Sequence, residues 1–327
     1  MPSAAQPMEV DVRVFDPDTP LLITNHCEQR RLFLLPRPST NRLIRGWLAR
    51  SLSRYRGIEL YAFAFLSNHF HLLLRDTSGE LPAFMGYFQR CLARAVNEEL
   101  DRGSAHVFAG PYDAVPVLTD ADFEVKYAYV LTNAVKEDLV ERAGDGPFFT
   151  SLQMSLDERP REFPLVNRTR RNDKSRGGRS VSEKEVTERF ALSLAVAPAW
   201  REWSIGRRQE RIEGLVRANE VRHRRRRRAE GKSVLGSGRV LQHKPWMRAR
   251  ERPSSPRLRV HSRNPERAKE YSASIRAIRA AYGEAYGEYL AAARNRRRAA
   301  IEWPPWTYPP SSLEPILPSS FSLSGAR

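Results

Sequence analysis

The sequence predicts an α+β protein with one antiparallel sheet and helices on one face, followed by a mainly helical, strongly basic C-terminal region. Two observations predict it. Over the first 150 residues the apolar positions switch between strand and helix spacing in the order strand, helix, two strands, helix, strand, helix. The charge then breaks: residues 1–150 carry 16 Lys and Arg against 19 Asp and Glu, and residues 151–327 carry 39 against 19. The break divides the chain into an N-terminal tail over 1–18, an α+β domain over 19–150, a basic linker over 151–181 and a basic, mainly helical region over 182–327.

Leu21-Leu22-Ile23-Thr24 reads as a short strand, and Arg31 to Leu35 as a strand or the turn into the first helix. Ser39 or Thr40 is the expected cap of that helix, whose Leu43, Ile44, Trp47, Leu48, Leu52 and Tyr55 recur at helical spacing before Gly57 ends it. Leu60 to Leu66 and His69 to Leu74 form either a hairpin around Ser67-Asn68 or one long strand. Thr77-Ser78-Gly79 turns the chain into a helix from Glu80 to Leu100, with Phe84, Phe88, Leu92 and Val96 on one stripe. A strand around Ala114 to Leu118 follows, and Thr119 or Asp120 caps a third helix running to about Glu141. This order is that of a ferredoxin-like sandwich.

The chemistry gathers at two places. In Leu66-Ser67-Asn68-His69-Phe70-His71-Leu72-Leu73-Leu74, strand alternation puts His69 and His71 on one side and Phe70, Leu72 and Leu74 on the other, a metal half-site on a rigid element. Taken alone, two of the chain's 7 histidines on a half-buried strand are also what chance places there. On the third helix, Phe123, Tyr127, Val130, Leu131 and Ala134 fill one buried arc, while Tyr129 and Asn133 lie on the flank with Asp122, Lys126 and Lys136. A tyrosine wet at the edge of a core is ordinary. Beside a metal-holding His-x-His strand it acquires a mechanism, in which the metal polarises a phosphodiester and the phenol attacks phosphorus. A free phenol has a pKa of about 10, so the metal, Lys126 or Lys136 must assist it.

Ser67-Asn68-His69-Phe70-His71-Leu72-Leu73 resembles the His-hydrophobic-His (HUH) motif of the single-tyrosine, single-strand DNA transposases. Tyr129-Val130-Leu131-Thr132-Asn133-Ala134-Val135-Lys136 resembles their catalytic helix, and the subgroup that the chain looks like is the REP-associated tyrosine transposases. The resemblance spans roughly residues 20–145 and implies a ferredoxin-like nuclease domain, usually dimeric, that cuts single-stranded DNA near a hairpin. It also implies Mg²⁺ or Mn²⁺ held by His69 and His71 with the amide of Asn133, and attack by Tyr129 to give a 5′-phosphotyrosine and a free 3′-hydroxyl. The chain departs from the pattern at Ser67 and Ala134, where relatives commonly have Pro; Ala134 is expected to let the helix continue without a kink. Two rival readings use the same residues: a domesticated DNA-hairpin-binding protein without turnover, and a replication-initiator or relaxase-type nickase. No recognisable helicase or ATP-binding motif accompanies the latter.

In the basic half, Thr169 to Arg179 reads as an exposed linker, and Ser182-Glu183-Lys184-Glu185 as a capping box opening a helix with Val186, Phe190 and Leu194. A helix around Trp203 to Val221 leads into Arg222-His223-Arg224-Arg225-Arg226-Arg227-Arg228, for which nucleic-acid backbone is the expected partner, with Arg224 to Arg228 as contacts. Asn264-Pro265 starts a long helix to about Arg298, whose tyrosine stripe reads as packing, and Trp303 to Pro310 must be extended over a neighbouring surface. Cys27 and Cys91 make neither zinc-finger spacing nor a disulfide framework. No secretory signal, membrane span or small-molecule site is expected, and a cytoplasmic, nucleoid-associated location follows.

Overall fold

The computed structural model describes residues 12–167, 182–249, 260–295 and 300–308. Strand β1 (Leu21–His26) leads through a buried turn over Leu32 to Leu35 into α1 (Pro38–Arg54), followed by β2 (Ile58–Phe65), β3 (His69–Asp76) and α2 (Leu81–Glu99). Next come β4 (Asp113–Pro116), α3 (Asp120–Leu131), the single turn α4 (Asn133–Lys136) and β5 (Phe149–Thr150). The sheet is antiparallel with order β4-β1-β3-β2-β5. β2 and β3 are a hairpin around Ser67-Asn68, as the first of the two sequence readings holds.

Alternation sorts the sheet into two faces. Leu21, Ile23, Phe63, Phe65, Phe70, Leu72 and Leu74 join Ile44, Leu48, Phe84, Phe88 and Leu92 of α1 and α2 in one core. A register shift between Leu60 and Ala62 puts Tyr61 on the opposite face with Ala62, Ala64, Leu22 and Leu73. On that second face lies α3, packed through Phe123, Tyr127, Val130 and Leu131. The two helices on the Phe70 face meet the sequence expectation. The third stands opposite, because small Ala62 and Ala64 let it approach and the histidines of β3 point that way.

The starts of the first three long helices are served in different ways. Thr119 caps α3, accepting from Asp122 N at 3.1 Å. Buried Asp76 accepts from Glu80 N and Leu81 N, both at 2.9 Å, and so serves the start of α2. For α1, Ser39 and Thr40 lie inside the helix; Pro38 occupies the first turn and Arg37 is the cap position without a side-chain bond. The third helix does not run to Glu141. Thr132 donates from Oγ1 to Ala128 O at 2.6 Å and leaves helical geometry (φ −104, ψ 15), so the chain breaks there and restarts at Asn133. A Thr hydroxyl bonding back to the i−4 carbonyl often bends a helix, and Ala134 does not prevent the break here.

The second half builds onto this frame. α5 (Leu152–Asp157) and β6 (Arg161–Val166) occupy the first part of the segment read as a linker; the linker residues Thr169 to Arg179 lie outside the described residues. α6 (Glu183–Val186) is one turn, and the helix expected to continue through Phe190 is instead β7 (Thr187–Leu192), paired with β6. Phe190 sits opposite Phe163, and Leu192 is fully buried in the first core, where a helix would have turned one of them away. α7 (Ile205–Ala229) packs on α3 through Ile212 and Leu215, and α8 (Ser237–Gln242) follows. α9 (Pro265–Arg294) is capped by Asn264 as expected, its Oδ1 accepting from Glu266 N and Arg267 N. Arg296 to Arg298 lie outside the described residues. Trp303 packs on Tyr282 and Tyr289, and Tyr308 donates to Asp76 Oδ2 at 3.1 Å, so the segment lies over a neighbouring surface. It is not extended throughout: it turns at Pro305-Trp306, where Trp306 has φ 61°, and Pro309 and Pro310 lie outside the described residues. No helix among the described residues is long and apolar enough to cross a membrane.

Candidate active site

β3 and the broken α3–α4 element bring the two sequence motifs together. His69 and His71 project from the same side of β3, ring centroids 5.1 Å apart, and both are buried. The Nε2 of His71 lies 3.2 Å from the Tyr129 hydroxyl, and the Nε2 of His69 lies 3.2 Å from Asn133 Oδ1. Asn133, one turn after Tyr129, shares its flank as the helical spacing holds, and that flank faces the histidine pair, where Asn133 is fully buried. Lys136 folds back so that its ammonium donates to the Tyr129 hydroxyl at 3.4 Å and to Glu137 at 3.0 Å. Lys126 stands 5.7 Å from the centroid of the same ring.

Each histidine is oriented from behind. The register pairs Thr24 with His71 and His26 with His69, and Thr24 Oγ1 lies 2.8 Å from His71 Nδ1. The Asn68 Oδ1 lies 2.7 Å from His69 Nδ1. An amide oxygen only accepts, so His69 carries its proton on Nδ1 and presents a lone pair at Nε2. Burial lowers His69 to about 4 and His71 well below its ordinary value, so both are neutral at pH 7, the state a metal ligand requires. Burial alone would lower Lys136, but the Tyr129 oxygen and Glu137 raise it above the ordinary lysine value. Lys126 is lowered by burial.

This donor set fits a small divalent ion. The lone pair of His69 Nε2 faces Asn133 Oδ1 across 3.2 Å, two acceptors in contact, while Asn133 Nδ2 is buried without a partner. Such a contact is repulsive unless a cation lies between the atoms or the amide turns over. Cis ligands of an octahedral Mg²⁺ at 2.0–2.1 Å bonds are about 3 Å apart, close to the separation seen. Among the described residues no three His, Cys, Asp or Glu side chains gather as a ligand set, so a metal held here would need the amide of Asn133 beside the two histidines.

Two further residues at the site carry signals that sequence reasoning passed over. His26, its ring 5.1 Å from His69, has a buried Nδ1 without a partner, and Thr24 orients His71. Thr24 and His26 alternate with Ile23 and Asn25, a period-2 pattern that marks them as facing away from the Ile23 core. Two other tyrosines, Tyr127 and Tyr112, are less accessible than Tyr129: Tyr127 is buried and raised by desolvation, and Tyr112 is buried with the Arg13 guanidinium 3.9 Å over its ring.

The arginine run is divided. Arg226 donates to Lys136 O at 2.9 Å and to Asp138 at 2.6 Å; buried Arg227 pairs with Glu141 and Asp138, and Arg224 lies 3.7 Å from Glu141. Arg225 and Arg228 are exposed. The run therefore folds against the acidic loop behind Lys136 without needing a polyanion. Arg227→Met should lower stability by about 1–3 kcal/mol, less than a fully buried pair because Glu141 is half exposed, and leave the salt dependence of DNA binding unchanged. Arg225→Ala with Arg228→Ala should do the reverse, as thermal melts and salt titrations will show.

A second expectation concerns acid. The folded chain holds His69, His223 and His261 near 4, chiefly by burial, whereas the unfolded chain protonates its histidines near 6.5. Below pH 6.5 the unfolded state thus binds more protons, so this stability is complete above 6.5 and lost as pH falls toward 4. His69 alone contributes up to about 3 kcal/mol of that loss. Urea unfolding in chelator across this range should show the decline; a flat profile would contradict neutral burial.

No family model matches the chain, and no curated protein matches it. Among solved structures it is similar to one described as the REP-associated tyrosine transposase bound to a REP hairpin, at 14% identity and a TM-score of 0.38. The match covers 46% of this chain and 86% of that one, a distant structural relationship.

Proposed function

We propose that the chain is a transposase-like DNA endonuclease and strand transferase acting on single-stranded or hairpin-forming DNA, with Tyr129 as nucleophile. One observation carries the reading: a half-buried tyrosine hydroxyl lies within hydrogen-bond reach of a neutral imidazole and an ammonium, beside a second neutral imidazole and a buried amide oxygen. Few tasks need a phenol so placed, and attack on phosphorus is one that also uses the cations beside it.

Tyr129 Oη forms a bond to phosphorus as the bond from phosphorus to the 3′ oxygen breaks. The 3′ oxygen leaves as an alkoxide and takes a proton from water, while the phenolic proton goes to solvent or to His71 Nε2 when that nitrogen is free. Lys136 stabilises the phenolate as it forms, and with Lys126 it offsets charge on the phosphate. His69, His71 and Asn133 would hold Mg²⁺ or Mn²⁺, which when bound supplies a Lewis acid to the phosphate oxygen. Because the covalent bond retains the phosphoryl energy, a free 3′-hydroxyl can reverse the step without ATP.

The test is to incubate the protein with a labelled hairpin-bearing single strand and Mn²⁺ and to look for protein-linked label on a denaturing gel. A metal-dependent adduct supports the reading; salt-sensitive binding without an adduct on any hairpin strand overturns it in favour of a non-catalytic binder.

A further inference from the structure

Residues 27–34 leave β1 alongside the hairpin turn that carries His69: Cys27 N donates to Asn68 O at 2.7 Å and Leu34 N to Ser67 O at 2.9 Å. A segment from the basic half lies on this loop. Leu32 N donates to Met247 O and Ala249 N to Arg30 O, both at 3.0 Å. The contact leaves Trp246 and Met247 at 47% and 45% exposure, two of the few large apolar side chains so exposed among the described residues. Trp246 meets Phe33 only edge-on, at 6.3 Å between centroids.

Around that indole the guanidinium groups have neutral partners. Arg31 donates to Gln29 Oε1 at 3.3 and 3.2 Å and to Trp246 O at 3.2 Å; Arg248 donates to the same Gln29 Oε1 at 2.7 Å. Arg102 lies over Phe33 at 3.7 Å and donates to Asn97 Oδ1 and His106 O. None of the three is in an ion pair among the described residues, unlike Arg226 and Arg227 of the arginine run. Two like charges sharing one neutral carbonyl oxygen are held together at a cost that an anion would remove. Gln29 and Arg30 adopt left-handed backbone (φ 52 and 55), an unfavourable conformation for non-glycine residues, in the turn that carries this shared acceptor.

We propose that Trp246, Arg31 and Arg248 form a nucleotide-holding subsite for single-stranded DNA, in which the exposed indole stacks on one base and the two guanidiniums bracket a phosphate beside it. This deepens the proposed function and rests on its DNA reading. An unpaired strand is required because a duplex hides its base faces, and stacking on an aromatic plane flanked by arginines is tolerant of sequence. The patch sits on the loop bonded to Ser67 and Asn68, the turn that leads into His69, so a strand held there runs on the same end of the sheet as the histidine pair.

The experiment uses the full chain in chelator, with a fluorescent oligo-dT and a blunt duplex as probes, and follows binding by anisotropy across a salt series. Trp246→Ala should weaken oligo-dT binding on the order of tenfold with little change in salt slope, and Trp246→Phe should recover most of it. Arg31→Gln with Arg248→Gln should flatten the slope by roughly 0.7 for each phosphate that is no longer neutralised. Duplex binding should be insensitive to Trp246→Ala. Oligo-dT binding by Trp246→Ala within twofold of the parent, or an equal loss on duplex, overturns the subsite. Adduct formation, scored separately with Mn²⁺, distinguishes the two claims: an adduct with Trp246 irrelevant to binding sinks the subsite alone, and Trp246-dependent binding without an adduct sinks the nuclease alone.

Discussion

Tyr129→Phe abolishes the covalent protein–DNA adduct and leaves strand binding within about twofold. The substitution removes one oxygen and keeps the ring that packs between His71, Lys126 and Lys136. The two bonds lost, to His71 Nε2 and from the Lys136 ammonium, are half-exposed, so the stability change is about 1–2 kcal/mol. Neither Tyr127 nor Tyr112 can substitute without rearrangement: Tyr127 faces Trp200 in the core, and Tyr112 lies beneath Arg13. A denaturing gel reads the adduct and an anisotropy titration reads the binding. Equal adduct yield from the variant would move the nucleophile elsewhere.

His69→Ala should produce the second large effect, a loss of Mn²⁺ affinity of at least roughly 100-fold together with loss of cleavage. The magnitude is set by comparison with Thr24→Val, which removes only the hydroxyl beside His71 Nδ1. Loss of such an outer partner typically costs about 10–100-fold in metal affinity, and loss of a ligand should exceed it. Calorimetric titration of Mn²⁺ into the two variants orders them without reference to activity. If His69→Ala bound Mn²⁺ like the parent, the histidine pair would be a packed strand feature and the metal would lie elsewhere.

Much of this site was legible because its signals are periodic. The alternation of β3 fixed which side His69 and His71 share, and the angular position of Tyr129 separated it from buried Tyr127. What was not legible depends on contacts between distant segments. Asn133 is buried against His69, which lies 64 positions earlier in the chain. The pairing of His26 with His69 is a strand register, which no local pattern states. Phe190 and Leu194 fit helical spacing as well as Phe190 and Leu192 fit a strand; the open face of α1 and the partner strand β6 decided between them. The arginine run looked like a free polycation because its carboxylate partners are remote in sequence: Asp138 lies 88 positions before Arg226, and Glu141 lies 86 before Arg227.

In the proposed reaction one oxygen, Tyr129 Oη, becomes bonded to DNA phosphorus. Mass spectrometry of the protein after incubation with a hairpin-bearing strand and Mn²⁺, followed by nuclease trimming and peptide mapping, tests it directly. A nucleotide phosphate mass is expected on the peptide containing Tyr129, with fragmentation placing it on that residue. A nucleotide on any other residue, or cleaved DNA with no protein-linked nucleotide at any time point, would contradict it.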